Sequence, residues 1–133
     1  MIPELIKRIK KHEGFSGVAY PDPLSGGKPY TFGYGFTYVT KEESAVILAN
    51  RVIDLKIEIE KRYPFVEDND IKGVLIEMAY QMGLNGLATF KKFIRALKRQ
   101  DYRRASKEMI DSRWANQTPG RATGLALIIR GKE

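Results

Sequence analysis

The chain has 133 residues, 43% of them hydrophobic and 29% charged, enough apolar content for a packed core and too little charge for a disordered tail. Its 23 Lys+Arg against 16 Asp+Glu give a formal net charge of +7, which suits a nucleic acid, an anionic envelope polymer or a membrane surface equally well. Zero cysteines exclude a disulfide scaffold, a thiolate metal site and a cysteine nucleophile. No apolar run approaches the roughly 20 residues of a membrane span. The charged start Met1-Ile-Pro-Glu-Leu-Ile-Lys-Arg lacks the apolar segment of a signal peptide, so passage to the outside is expected to depend on a separate pore.

Residues 3–12 read as a short helix, with Pro3 at an early helical position and Leu5, Ile6 and Ile9 on one face. Gly14 ends it. From Gly14 to Thr40, glycines and prolines alternate with Tyr and Phe, and the stretch from Tyr30 to Val39 is strand-prone. This predicts a small antiparallel β element with Ser25-Gly26-Gly27 in its turn. Thr40 and Glu43 have capping-box spacing and open a long helix to about Arg62, closed by Tyr63-Pro64. A further helix starts near Asp68 or Asp70 and runs through Met82, with Gly83 and Gly86 bracketing a tight connection. A helix over about 87–99 follows, then one capped by Asp101 to about Ser112, a turn from Trp114 to Pro119, and a last helix over 121–130. The fold class is α+β in a single domain. An N-terminal helix and a small β lobe occupy about 1–40, a helical lobe about 41–133, and a cleft is expected between them.

With one histidine and no cysteine, the available chemistry narrows to carboxylates. His12 has no Gly-x-Ser-x-Gly partner for a triad. Carboxylates without a His pair make a poor transition-metal site, and Gly33-Tyr-Gly35 lacks the third glycine of a dinucleotide loop. No metal or cofactor is expected. Glu13 closes the first helix at the edge of the glycine-rich lobe. Most such residues are plain surface carboxylates. The negative end of a helix dipole disfavours an anion there, however, which suits a group whose task is to hold and donate a proton. Asp22, in Tyr20-Pro21-Asp22-Pro23, reads by itself as a turn residue, and Thr31 as a strand residue.

Their order changes the reading. Glu13-Gly14, an Asp22 nine positions later and Thr31-Phe-Gly-Tyr-Gly35 resemble the phage-type lysozymes, glycoside hydrolase family twenty-four. Glu77-Met-Ala-Tyr-Gln-Met-Gly83 is similar to the family's cleft-floor helix, and Ser112-Arg-Trp-Ala-Asn-Gln-Thr-Pro-Gly-Arg121 to its Trp–Asn-Gln-Thr-Pro–Arg signature. The likeness reaches from the first helix to the last. It implies a lysozyme-like fold and a bacteriolytic endolysin that cleaves the β-1,4 bond between N-acetylmuramic acid and N-acetylglucosamine, with inversion.

Carried over by position, the resemblance makes Glu13 the general acid and has Asp22 and Thr31 hold the attacking water. Arg121 would lie against the acid, and burial together with the charge of Asp22 would offset its effect there. Tyr80 and Gln81 would line the sugar cleft, with Trp114, Asn116 and Gln117 supporting it from behind. The stretch from Asp22 to Thr31 is longer than the family's usual spacing, and Phe36 stands where a histidine is common. The implied partner is bacterial peptidoglycan, met by a monomer that is made in the host cytoplasm and released through a holin-like pore, with no specific nucleic acid and no membrane insertion.

Three other readings compete. A lytic transglycosylase would use the same acid but no water, and a catalytically inactive wall binder would lack the acid, the aspartate or the threonine. A basic nucleic-acid-binding helical domain would draw on Lys91, Lys92, Arg95, Lys98, Arg99, Arg103 and Arg104, a run that is more often a solvated helix face.

Overall fold

The computed structural model describes residues 1–21 and 30–133; Asp22 and the expected Ser25-Gly26-Gly27 turn lie outside the described residues. The chain is α+β, mostly helical, and among the described residues it has one two-stranded antiparallel sheet. It divides into two compact units, Met1–Ile47 and Leu48–Glu133.

In the first unit, α1 spans Ile2–Glu13, with proline in its first turn. Gly14 stops it at φ 69, a left-handed value that costs glycine nothing and other residues about 1–2 kcal/mol. The chain then enters β1 (Ser16–Pro21), which pairs with β2 (Tyr30–Gly33). Tyr20 faces Thr31, Ser16 faces Gly33, and the register slips between Ser16 and Tyr20. The strand-prone run to Val39 stops early. Gly33 and Gly35 adopt φ 59 and 78, and Phe32 and Phe36 exchange backbone hydrogen bonds of 2.9 and 2.8 Å across the resulting tight turn.

Helix α2 (Lys41–Arg62) opens on the expected capping box. The Thr40 N–H donates to the Glu43 carboxylate at 2.9 Å, and the Glu43 N–H donates to the Thr40 hydroxyl at 3.1 Å. The Thr40 N–H, and after it the Thr40 hydroxyl, hold the Glu43 carboxyl below its usual range. The boundary between the two units falls within this helix.

The second unit carries the core. Helix α3 (Asn69–Ala88) buries Ile71, Val74, Leu75, Met78 and Ala79, a stripe that repeats every three or four residues. Ile59, Leu75, Met78, Leu87, Met109 and Ile129 are wholly enclosed. Each such side chain contributes about 1.5–3 kcal/mol by leaving water. Asp68 caps α3, accepting the N–H groups of Asp70 and Ile71 at 2.8 and 3.0 Å. Gly83, at φ 81 and ψ 161, leaves the helical conformation for a single residue, and the helix then resumes to Ala88. The following helix therefore begins later than about 87: α4 spans Lys91–Lys98, after a turn in which the Thr89 hydroxyl donates to the Gly86 carbonyl at 2.6 Å. Asp101 caps α5 (Tyr102–Ile110) as expected, accepting the Arg104 N–H at 3.1 Å.

The expected turn from Trp114 to Pro119 is instead mostly helix. Helix α6 (Arg113–Gln117) is started by the Ser112 hydroxyl, which accepts the Ala115 N–H at 3.1 Å. Pro119 then opens α7 (Pro119–Arg130), which buries Ala122, Leu125, Ala126 and Ile129. No helix among the described residues is long and apolar enough to cross a membrane.

Candidate active site

The candidate residues fall into both units, and each group has its own geometry. In the first unit, α1 delivers Glu13 as its last residue, immediately before the left-handed turn at Gly14. Its carboxylate rests on the backbone of Gly35. A Cβ placed on Gly35 would lie 2.5 Å from the Glu13 Oε2 and 2.9 Å from its carboxyl carbon. Only glycine fits there, for two independent reasons: φ 78 disfavours a side chain, and the carboxylate fills the space. The second glycine of Thr31-Phe-Gly-Tyr-Gly35 is thus the surface against which Glu13 is held. Gly33 plays a different part, since the Phe36 ring covers it at 2.6 Å from a would-be Cβ. Between them, Tyr34 lies 5.5 Å from the Phe15 ring, with the Lys10 ammonium 5.2 Å from its centre.

The burial expected around Glu13 is not found. The side chain is exposed, because α1 buries none of its residues. Thr31 is the buried member of this group, at 8% exposure, held between exposed or half-buried strand neighbours. Its hydroxyl has no hydrogen-bond partner among the described residues. An unpaired buried hydroxyl costs about 1–3 kcal/mol, and such groups mark places where a further polar partner belongs.

In the second unit, α3 presents Glu77 and Gln81 one turn apart. The Arg121 Nε donates to the Glu77 carboxylate at 2.7 Å. The Trp114 Nε1–H donates to the Gln81 carbonyl oxygen at 2.8 Å. Arg121, expected to serve Glu13, therefore has a carboxylate of its own. Trp114 is buried, edge-on to Phe90 with ring centres 6.1 Å apart. Gln81 spends its oxygen on that indole and keeps its two amide N–H donors. Tyr80 is about half-exposed and, with Arg51, Asp54, Leu55 and Ala79, lines a cavity of about 460 Å³. Asn116 and Gln117 are exposed on α6, so the packing of this helix comes from Trp114 and Ala115 and not from these two amides. Among the described residues, no group of three or more His, Asp and Glu side chains is placed to hold a metal ion.

The phage lysozyme family model matches residues 10–131, a span that takes in Glu13, the glycine motif and the Trp114–Arg121 segment. The chain belongs to the phage lysozyme family. The probable T4-type lysozyme 1 of Dictyostelium discoideum is 37% identical over 62 residues, which cover 47% of this chain and 36% of that protein. The pre-baseplate central spike protein Gp5 of Enterobacteria phage T4 is 29% identical over 96 residues, covering 68% of this chain and 17% of that protein. The chain thus spans well under two thirds of the length of either relative.

Sequence reasoning missed two contacts of this family's residues in this chain. Glu77 was legible as part of a helix motif, but nothing local ties it to Arg121. Gly35 was legible as a motif glycine, and the glycine itself, the residue used where another group approaches the backbone closely, was the available signal.

Proposed function

We propose that the chain is a lysozyme-type glycoside hydrolase acting on bacterial peptidoglycan, at the β-1,4 bond between N-acetylmuramic acid and N-acetylglucosamine. The observation that carries this reading is the Glu13 carboxylate seated on Gly35, in a chain of the phage lysozyme family. A general acid must be held in a fixed place to deliver its proton, and a glycine that admits no side chain fixes one wall of that place.

In this scheme Glu13, in its acid form, donates its proton to the glycosidic oxygen as the bond from the anomeric carbon breaks. A water held by Asp22 and the Thr31 hydroxyl adds to that carbon from the opposite face and gives its proton to Asp22. The product is inverted. The unused hydrogen-bonding capacity of Thr31 among the described residues supports a water-positioning role. Tyr80 offers a half-exposed aromatic face and Gln81 two free amide donors, the groups a sugar chain requires. The Glu77–Arg121 pair and the Trp114–Gln81 bond tie α3 to α7 and α6 within the second unit. Host-cell lysis would then follow release from the cytoplasm through a separate holin-like pore, with the enzyme working as a monomer.

Product analysis tests the scheme. Digestion of purified peptidoglycan should give reducing muramic acid ends, with the α-anomer formed first. An anhydro end, lighter by one water, would assign the chain to the transglycosylases, and a β-anomer would exclude inversion.

A further inference from the structure

The basic run over Lys91–Arg104 takes no part in the scheme above, and folding gathers part of it into one groove. Lys92, Arg95 and Arg99 stand at i, i+3 and i+7 and so share one face of α4 and its C-terminal turn. The turn that follows is closed by the Gln100 N–H donating to the Leu97 carbonyl at 3.0 Å and the Asp101 N–H to the Ala96 carbonyl at 2.9 Å. Gln100 accepts a left-handed φ of 58 to make it. This brings the start of α5 back beside α4, and Lys92, Arg95, Ala96, Arg99, Asp101 and Arg104 line a cavity of about 310 Å³.

The charges in this groove are poorly balanced. Arg104 pairs with Glu108 at 2.9 Å, whereas Lys92, Arg95 and Arg99 have no carboxylate within ion-pair distance among the described residues. Lys98 turns elsewhere, lying 5.9 Å from the centre of the Phe65 ring. Asp101 spends one oxygen on the Arg104 N–H and keeps the other as an acceptor. No aromatic ring lines the groove, and Phe93 of α4 is buried in the core. A single nucleic-acid strand is bound where aromatic side chains stack its bases. What the groove offers is three or four cations for phosphates and one acceptor for a hydroxyl.

We propose that the groove between α4 and α5 binds a flexible polyol phosphodiester, an anionic polymer of the bacterial envelope, through Lys92, Arg95, Arg99 and Arg104. The choice of an envelope polymer rests on the proposed wall-degrading function; the groove's chemistry stands without it.

Fluorescence anisotropy with labelled poly(glycerol phosphate), titrated at several salt concentrations, tests this. The variant K92Q/R95Q/R99Q should bind about tenfold more weakly, each exposed cation contributing a few-fold. Its dependence of log affinity on log salt should flatten by about 2, at roughly 0.7 for each lost phosphate contact. K7Q/R8Q/K11Q on α1 removes the same charge elsewhere and should bind like the wild type. Equal losses in both variants would reduce the effect to net charge and overturn the proposal, as would no loss in the first. Equal or tighter binding of a single-stranded oligonucleotide with the same number of phosphates would overturn it as well. Binding is read without turnover, so a chain that binds the polymer but leaves peptidoglycan intact contradicts the hydrolase reading and not the groove.

Discussion

Gly35→Ala tests whether the seat of Glu13 matters to function. At φ 78 an alanine costs about 1–2 kcal/mol of backbone strain. Its Cβ would lie 2.5 Å from the Glu13 Oε2, where ordinary contact begins at 3.4 Å, so the carboxylate must retreat by about 0.9 Å. Misplacing a catalytic group by about 1 Å costs on the order of 10²-fold in rate. Gly33→Ala is the matched control. It carries a similar backbone cost at φ 59, but its Cβ meets the Phe36 ring at 2.6 Å and no carboxylate. Both variants should lose stability in urea denaturation. Clearance of permeabilised cells, measured where circular dichroism shows both folded, should fall at least about tenfold further in Gly35→Ala than in Gly33→Ala. Equal clearance rates in the two would refute the claim that Gly35 positions the acid.

Other predictions address the site and the fold. Thr31→Ala should lower turnover by less than loss of the acid itself, because a positioning hydroxyl contributes less than the proton donor; steady-state rates on soluble peptidoglycan fragments check it. Met78→Ala empties a fully buried position in α3 and should cost about 2–5 kcal/mol, read from the urea midpoint. Trp114→Phe removes the hydrogen bond to Gln81, whose exposed carbonyl then turns to water; about 0.5–1.5 kcal/mol should be lost by the same measurement. The Asp68 carboxyl is held below its usual range, first by the Ile71 N–H and then by the Lys132 ammonium. Its contribution is present above the unfolded value near pH 3.9 and is lost as pH falls through the lowered folded value. Stability of the wild type should therefore decline more steeply below about pH 4 than that of Asp68→Asn, in paired urea titrations.

Local features of the fold were legible because their causes are local. Gly14, the Thr40–Glu43 box and the Asp101 cap each act within a few residues, and each sits where the sequence puts it. Around α6, Asn116, Gln117, Thr118 and Pro119 predict a turn, while the short helix depends on one hydroxyl, that of Ser112. Gly83 predicts a helix end, yet its departure lasts one residue and the backbone resumes its helical course. The aromatics after Tyr30 predict a longer strand than forms, because two left-handed glycines outweigh their β preference. The candidate site residues come from the family motifs. Their partners were not legible: Glu77 and Arg121 are 44 positions apart, and no periodicity links them.

The central claim is that Glu13 supplies the proton that breaks the glycosidic bond. Glu13→Gln keeps the shape of the side chain and removes its acid. Turbidity of outer-membrane-permeabilised cells, followed beside the wild type at equal folded concentration, should fall with the wild type and stay flat with the variant. Clearance by Glu13→Gln at the wild-type rate would contradict the account.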